Sequence, residues 1–109
     1  MSIKSTIIET LSPLAPVAFH EYVGTETTYI TFFEYNQYGS LFVDDDEKIT
    51  IHSVQIDVFG KGNIETLVTQ VKEALKEKGF RRISEIEMYE TETKTFRKSL
   101  SFQISVTNN

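Results

Sequence analysis

ITIHSVQIDVFGKGNIETLVTQVKEALKEKGF, residues 49–80, decides the fold. Its first part reads as one long strand over residues 48–59, and that strand changes parity. Ile49 and Ile51 point one way, while Val54, Ile56 and Val58 point the other. Side chains alternate strictly along a strand, so the switch needs either a bulge or a change of which face is buried. The change falls near His52-Ser53, and the outer half of the strand is expected to leave the core as a hairpin arm with the strand before it. Gly60-Lys61-Gly62 turns the chain. Asn63 suits a helix N-cap, and Glu65 suits the first turn, where the helix dipole favours an acid. Ile64, Leu67, Val68, Val71 and Leu75 form one apolar stripe at helical spacing. Gly79 ends the helix after Lys76 and Lys78, and Phe80 is expected to pack back on it.

Working outward, residues 83–91 read as a strand, and Glu92-Thr93-Lys94 as a turn. From Phe96 to Thr107 apolar and polar residues alternate, the mark of a strand with one buried and one wet face. Upstream, Ile3, Ile7, Ile8 and Leu11 stripe a short helix, which Ser12-Pro13 and Pro16 end. Residues 17–22 read as a first strand and 28–36 (TYITFFEYN), rich in β-branched and aromatic residues, as a second. The fold class is therefore α+β: a mostly antiparallel sheet packed by two helices, in the order α-β-β-β-α-β-β. The 109 residues fit one domain, 1–109.

Residues 37–47 (QYGSLFVDDDE) fit no period and are expected to form a long loop. The apolar triplet Leu41-Phe42-Val43 is odd in a purely solvated loop. On the second strand, Tyr29, Thr31, Phe33 and Tyr35 share one face, and Ile30 and Phe32 the other. Either both faces are covered within the chain, or the aromatic face is covered by a partner. With Tyr38, Leu41 and Phe42, this region is the first candidate for a subunit contact.

Composition narrows the function. The chain has no cysteine, which excludes disulfides and thiolate chemistry. No apolar run approaches a membrane span, and the N-terminus lacks a signal-peptide layout, so the expected location is the cytoplasm of the producing cell. Residues 1–60 hold two basic and nine acidic groups; residues 61–109 hold nine basic and seven acidic. An acidic domain without a basic patch is a poor ligand for a phosphate backbone, so sequence-specific nucleic-acid binding is not expected. The asymmetry serves solubility; opposite-signed surfaces also suit head-to-tail contacts between copies.

No catalytic motif emerges. Gly60-Lys61-Gly62 lacks the glycine a dinucleotide fingerprint needs at position 65, where Glu65 would repel an anion. The run Asp44-Asp45-Asp46-Glu47 lacks the alternate spacing and glycine bend of a calcium loop, and reads as a solvated charge run. His20 and His52 lie on expected strands without a metal or nucleophile signature. If they met across a sheet they could do acid-base work, which leaves a small-molecule-binding domain or enzyme as the alternative from another class. Neither metal nor cofactor is expected.

The succession of a short N-terminal helix, APVAFHEY, TYITFFEY, a variable polar loop, the strand and helix of residues 49–80, and EIEMYETETKTFRKSLSFQISV resembles the tail completion (tail-to-head joining) proteins of long-tailed bacteriophages and prophages. It is similar in outline to tail terminator proteins. The resemblance spans nearly the whole chain and rests on elements and apolar positions. It implies a structural protein without catalytic residues. Such a protein forms a ring, expected to be a hexamer, at the head-proximal end of the tail. It contacts the tail-tube protein and the head connector, and is assembled into the virion neck in the host bacterial cytoplasm. It implies that the segment 37–47 becomes buried on assembly, which makes Tyr38, Leu41, Phe42, Val43, Asp44, Asp45 and Asp46 the candidate contact residues.

Overall fold

The computed structural model describes residues 2–108. Its elements are α1 (Ile3–Leu11), β1 (Val17–Phe19), β2 (Tyr29–Val43), β3 (Asp46–Gly60), α2 (Glu65–Glu77), β4 (Arg81–Glu90) and β5 (Thr95–Thr107). The order is the expected one. The five strands make one sheet in the order β1-β2-β3-β5-β4. All neighbours are antiparallel except β1 and β2, which run parallel.

Both helices lie on one face of the sheet. Ile7 and Leu11 of α1 and Val68, Val71 and Leu75 of α2 are buried with Ile30, Phe32, Val54, Ile56, Val58, Leu100 and Phe102. Registers pair Phe32 with Ile56 and Leu100 with Ile56, so three strands present one apolar row to the helices. Each such side chain contributes about 1.5–3 kcal/mol by leaving water. The other sheet face carries no helix.

Helix ends follow the sequence closely. Ser2 caps α1 by accepting from the Ser5 amide at 3.0 Å. At α2 the Asn63 side chain accepts from the Glu65 amide at 2.9 Å, although Ile64 is the residue flanking the helix. The C-terminus of α2 closes as a Schellman motif: Phe80 N–H reaches the Leu75 carbonyl and Gly79 N–H the Lys76 carbonyl, both at 3.0 Å. Gly79 takes the positive φ of 95° that this cap needs. Phe80 is buried in the core, as expected.

Two readings need correction. The first strand is only three residues long, because His20 turns out of it with a φ of 66°. More important, residues 37–47 are not a loop. β2 continues to Val43, β3 begins at Asp46, and the two strands pair to their ends. Asp44 and Asp45, with φ of 52° and 68°, form a two-residue type I′ turn. The anticipated hairpin arm is therefore real and longer than expected. It gives the molecule extents of 54 × 23 × 23 Å and a radius of gyration of 15.2 Å, against about 13 Å for a rounder domain of this length.

Phe102 sits at the centre of the helix-covered face, nearly inaccessible to solvent. Phe102→Ala is expected to lower the free energy of unfolding by about 3–5 kcal/mol, read from a denaturant titration. A loss below about 1 kcal/mol would mean that the core is placed wrongly.

Candidate interaction surface

The arm is the part of the sheet without a layer of its own. Its geometry follows from three irregularities. The register shifts between Glu34 and Asn36, between Gly39 and Leu41, and between Leu41 and Phe42. Tyr35 and Ser40 are extra residues on β2, and Lys48 is the extra residue on β3. Against β5, β3 pairs without a break from Ile49 to Gly60. So β3 holds no bulge near His52-Ser53. The parity change there is a change of buried face, and the compensating bulge sits opposite, at Tyr35.

Strict alternation then places Ile49 and Ile51 on the open face. Their partners Leu41 and Tyr38 share it, as does Val43, two residues beyond Leu41. Tyr38, Leu41, Val43, Ile49 and Ile51 thus form an apolar patch on the arm, with the first three about half exposed. On the other arm face Phe42, 57% exposed, folds over Gly39. A Cβ on Gly39 would lie 2.5 Å from Phe42 Cζ and 2.5 Å from Glu47 Oε1. Asp44, Asp45 and Asp46 ring the tip, and all three are exposed.

The arm is braced at its base. Asn108 N–H donates to the Lys48 carbonyl at 2.8 Å. The Asn108 side-chain amide donates to Thr50 Oγ1 at 2.7 Å, and Thr50 in turn donates to Glu47 Oε2 at 2.5 Å. A cleft of about 550 Å³ beside this network, under the start of α1, also holds the His52–Glu34 pair and Lys4.

Part of the open face of the body is closed by its own side chains, while Ile86 and Met88 of β4 stay exposed on it. Asp57, buried, accepts from Arg97 at 3.0 Å and from Gln55 at 3.1 Å. Arg97 also lies over the Phe59 ring at 5.3 Å, and Phe59, Tyr29 and Tyr22 stack in series. Tyr35 hydroxyl bonds to Ser101. The aromatic face of β2 is thus covered within the chain toward Tyr29 and bare toward Tyr38.

The two histidines do not meet. His52 shares the helix-covered face with Val54 and pairs with Glu34. His20 stacks on Phe33, which belongs to the opposite face. Among the described residues no three His, Asp or Glu converge as a metal site requires. At the glycine turn, Lys61 donates to the Thr93 carbonyl at 3.0 Å, and Glu65 and Glu87 line the adjoining hollow.

A second feature was not read from the sequence. Between the last turn of α2 and the start of β4 lies a hollow of about 320 Å³ beside Lys72, Lys76 and Arg82, with the buried Phe80 and Phe102 beneath it. Lys72 donates to Glu85 at 3.1 Å, and Arg82 lies 3.4 Å from the same carboxylate. Burial pushes the Glu85 carboxyl up, but the hydrogen bond and charge of Lys72, with Lys98 and Arg82, outweigh it and hold the carboxyl below its ordinary value. The clustering of Lys72, Lys76, Lys78, Arg81 and Arg82 was the available signal; which of them share a face was not visible in sequence.

No family model and no curated protein matches this chain. Among solved structures, its fold is shared by a chain in the virion of a native gene transfer agent (GTA) particle. The TM-score is 0.66 at 12% identity, over 98% of this chain and 96% of the other. The two folds correspond along their whole lengths.

Two outcomes follow. Leu41→Glu and Phe42→Asp are each expected to change the stability of the isolated chain by no more than about 0.5 kcal/mol, since neither side chain belongs to the core; a calorimetric loss of several kcal/mol would make the arm a packing element instead. Glu85, with its folded-state value depressed, stabilises the fold above its unfolded value and loses that contribution as pH falls through the folded one. The stability gap between the wild type and Glu85→Gln should therefore be widest near neutrality and shrink below about pH 4.5, the ordinary carboxyl value. A gap unchanged between pH 7 and pH 3 would contradict the depressed value.

Proposed function

We propose that this protein is a structural component of a phage-like particle, forming a ring at the head-proximal end of the tail and joining the tail to the head connector. One observation carries the reading. A domain with the fold of a gene transfer agent virion component extends a β-arm whose apolar Tyr38, Leu41, Phe42 and Val43 are about half exposed. An exposed patch of this kind on a small domain marks a surface meant for a partner. The resemblance to tail completion proteins supplies the position in the particle, and the whole-length fold match with a virion component is consistent with it. Tail termination is the neighbouring reading, since both roles place a ring at the same end of the tube.

On this reading the candidate contacts are Tyr38, Leu41, Phe42 and Val43 along the arm, with Asp44, Asp45 and Asp46 at its tip. Contacts run to further copies, to the tail-tube protein and to the head connector. No catalytic group, cofactor or metal is required. The work is that of shape and charge, and it is carried out in the virion after assembly in the host cytoplasm.

Electron microscopy of particles from a strain lacking the gene tests the role. Filled heads beside separate, finished tails are the expected result. Overlong tails would assign termination instead. Normal joined particles would remove the morphogenetic reading altogether.

A further inference from the structure

A strand with a neighbour on one side only presents unpaired amides and carbonyls on the other, a template for a further strand. This sheet has two such edges. Among the described residues β4 pairs with β5 alone, and every residue of it but Glu85 is exposed. At the other side β1 covers β2 only from Ile30 to Phe32, so the outer edge of β2 from Phe33 to Val43 has no strand beside it among the described residues. The two edges match by face. β2 carries an extra residue, Ser40, between Gly39 and Leu41, and β4 carries one, Ile83, between Arg82 and Ser84. One antiparallel register brings these irregularities side by side. It sets Tyr38 opposite Ile86, Leu41 opposite Ile83 and Phe42 opposite Arg82. From Asn36–Met88 to Val43–Arg81, every pair outside the two bulges then has both members on one sheet face. Tyr38 is 46% and Ile86 62% exposed, so each has apolar surface to give the other.

We propose that β4 of one copy adds, antiparallel, to the outer edge of the β2 arm of the next, with Tyr38 beside Ile86. Strand direction allows it. From β2 through β3 and β5 to β4 each step is antiparallel, so β2 and β4 of one copy run oppositely. A second copy set beside the first the same way up therefore lays its β4 antiparallel to the first copy's β2, with the helices on a common side. Charge favours the same direction. It carries Asp44 and Asp45 to the Arg81–Arg82 end of β4, whereas parallel pairing would carry them to Glu87 and Glu90. Two β4 strands paired about Ile86 would instead set Glu85 opposite Glu87 twice. The contact joins two different edges, the kind that generates a ring when its rotation closes. Within one copy Arg81 stands level with Asn36, through Gln103 and Ser53; in the contact it stands level with Val43. That step is about 24 Å along the strands, against about 19 Å across β2, β3, β5 and β4. Strands inclined about 50° to the ring axis absorb it, a little steeper than the 35–45° of closed barrels. This inference rests on the proposed self-association and names the edges that carry it.

The chain has no cysteine, so reporter thiols can be placed cleanly. Particles are prepared from a gene-deleted strain supplied with the Tyr38→Cys/Ile86→Cys chain, exposed to a mild oxidant and resolved on a non-reducing denaturing gel. Opposed residues on paired strands have Cα atoms about 4.5–5.5 Å apart, within the span of a disulfide. A ladder of multiples of this chain is expected, absent from either single variant and from Tyr38→Cys/Glu90→Cys. A dimer from Ile86→Cys alone would mean that β4 pairs with itself, and particles that contain the chain but give no ladder would mean that these edges do not meet. Either result overturns the pairing and leaves the particle role standing. Absence of the unaltered chain from particles would remove the role, and the pairing with it. Ile86→Lys supplies a second reading without a cross-link. The side chain is exposed in the free chain, so the unfolding midpoint should hold. The yield of joined particles should fall at least about tenfold, because a charge left unpaired in a buried contact is costly. An undiminished yield would overturn the pairing.

Discussion

A strand cannot turn its side chains over without inserting a residue, and β3 inserts none where it leaves the core. That constraint shapes the molecule. From Val54 to Val58, alternate residues of β3 meet the helices. The same unbroken alternation then carries Ile49 and Ile51 to the face without helices. The adjustment falls on β2, whose extra Tyr35 lets Tyr38 come opposite Ile51 and whose extra Ser40 lets Leu41 come opposite Ile49. One strand thus belongs to two environments: a dry face in the body and an apolar patch in the arm. Shifting that register by one residue would drive Val54, Ile56 and Val58 out of the core, so core packing fixes the arm's geometry.

The open face of the body shows how the chain covers part of a sheet without a second layer. Arg97 both pairs with the buried Asp57 and stacks on Phe59, and the ring series from Phe59 to Tyr22 shields the end near β1. Removing one partner of a buried pair is costly because the other is left unpaired, so these side chains hold their places. The free edge on β4 is blunted differently, by Arg81, Arg82, Glu85, Glu87 and Glu90 and by a register shift after Arg82. These devices stop short of the arm. Leu41, Phe42 and Val43 stay exposed there, as do Ile83, Ile86, Met88 and Tyr89 along β4.

The sequence was legible wherever one face is buried and the other wet. Helix α2 was readable from its stripe and its Gly79 stop, and β5 from its alternation, because in both a single core dictates the period. Residues 37–47 were misread for the same reason. Neither face of this stretch is packed in the core, the part beyond Ile49 is a two-stranded ribbon, and bulges at Ser40 and Lys48 erase what period remains. Type I′ turns favour Asn-Gly, and here Asp44-Asp45 take those positions inside a run of acids that resembles a solvated loop. The clue lay in Ile49 and Ile51, whose wrong parity required something apolar opposite them. The hollow at Phe80 was harder to see. Its lining comes from α2, β4 and β5, and no one-dimensional pattern joins Lys76 to Phe102.

An isolated two-stranded ribbon is marginal in water, which makes the stiffness of this arm a structural matter. β5 pairs with β3 as far as Ile49, and Asn108 ties the Lys48 carbonyl and Thr50 at the last step. Only the segment from Leu41 to Glu47 reaches beyond that brace. A short, braced projection loses less freedom on docking than a mobile loop, so more of its contact energy remains for affinity. The acids at the tip act in the same direction. They keep free copies apart at the tips, since like charges there repel one another. Apolar residues supply the attraction and charge decides where it is used. A domain this small can therefore expose an aromatic ring at its extremity and still remain selective in what it joins.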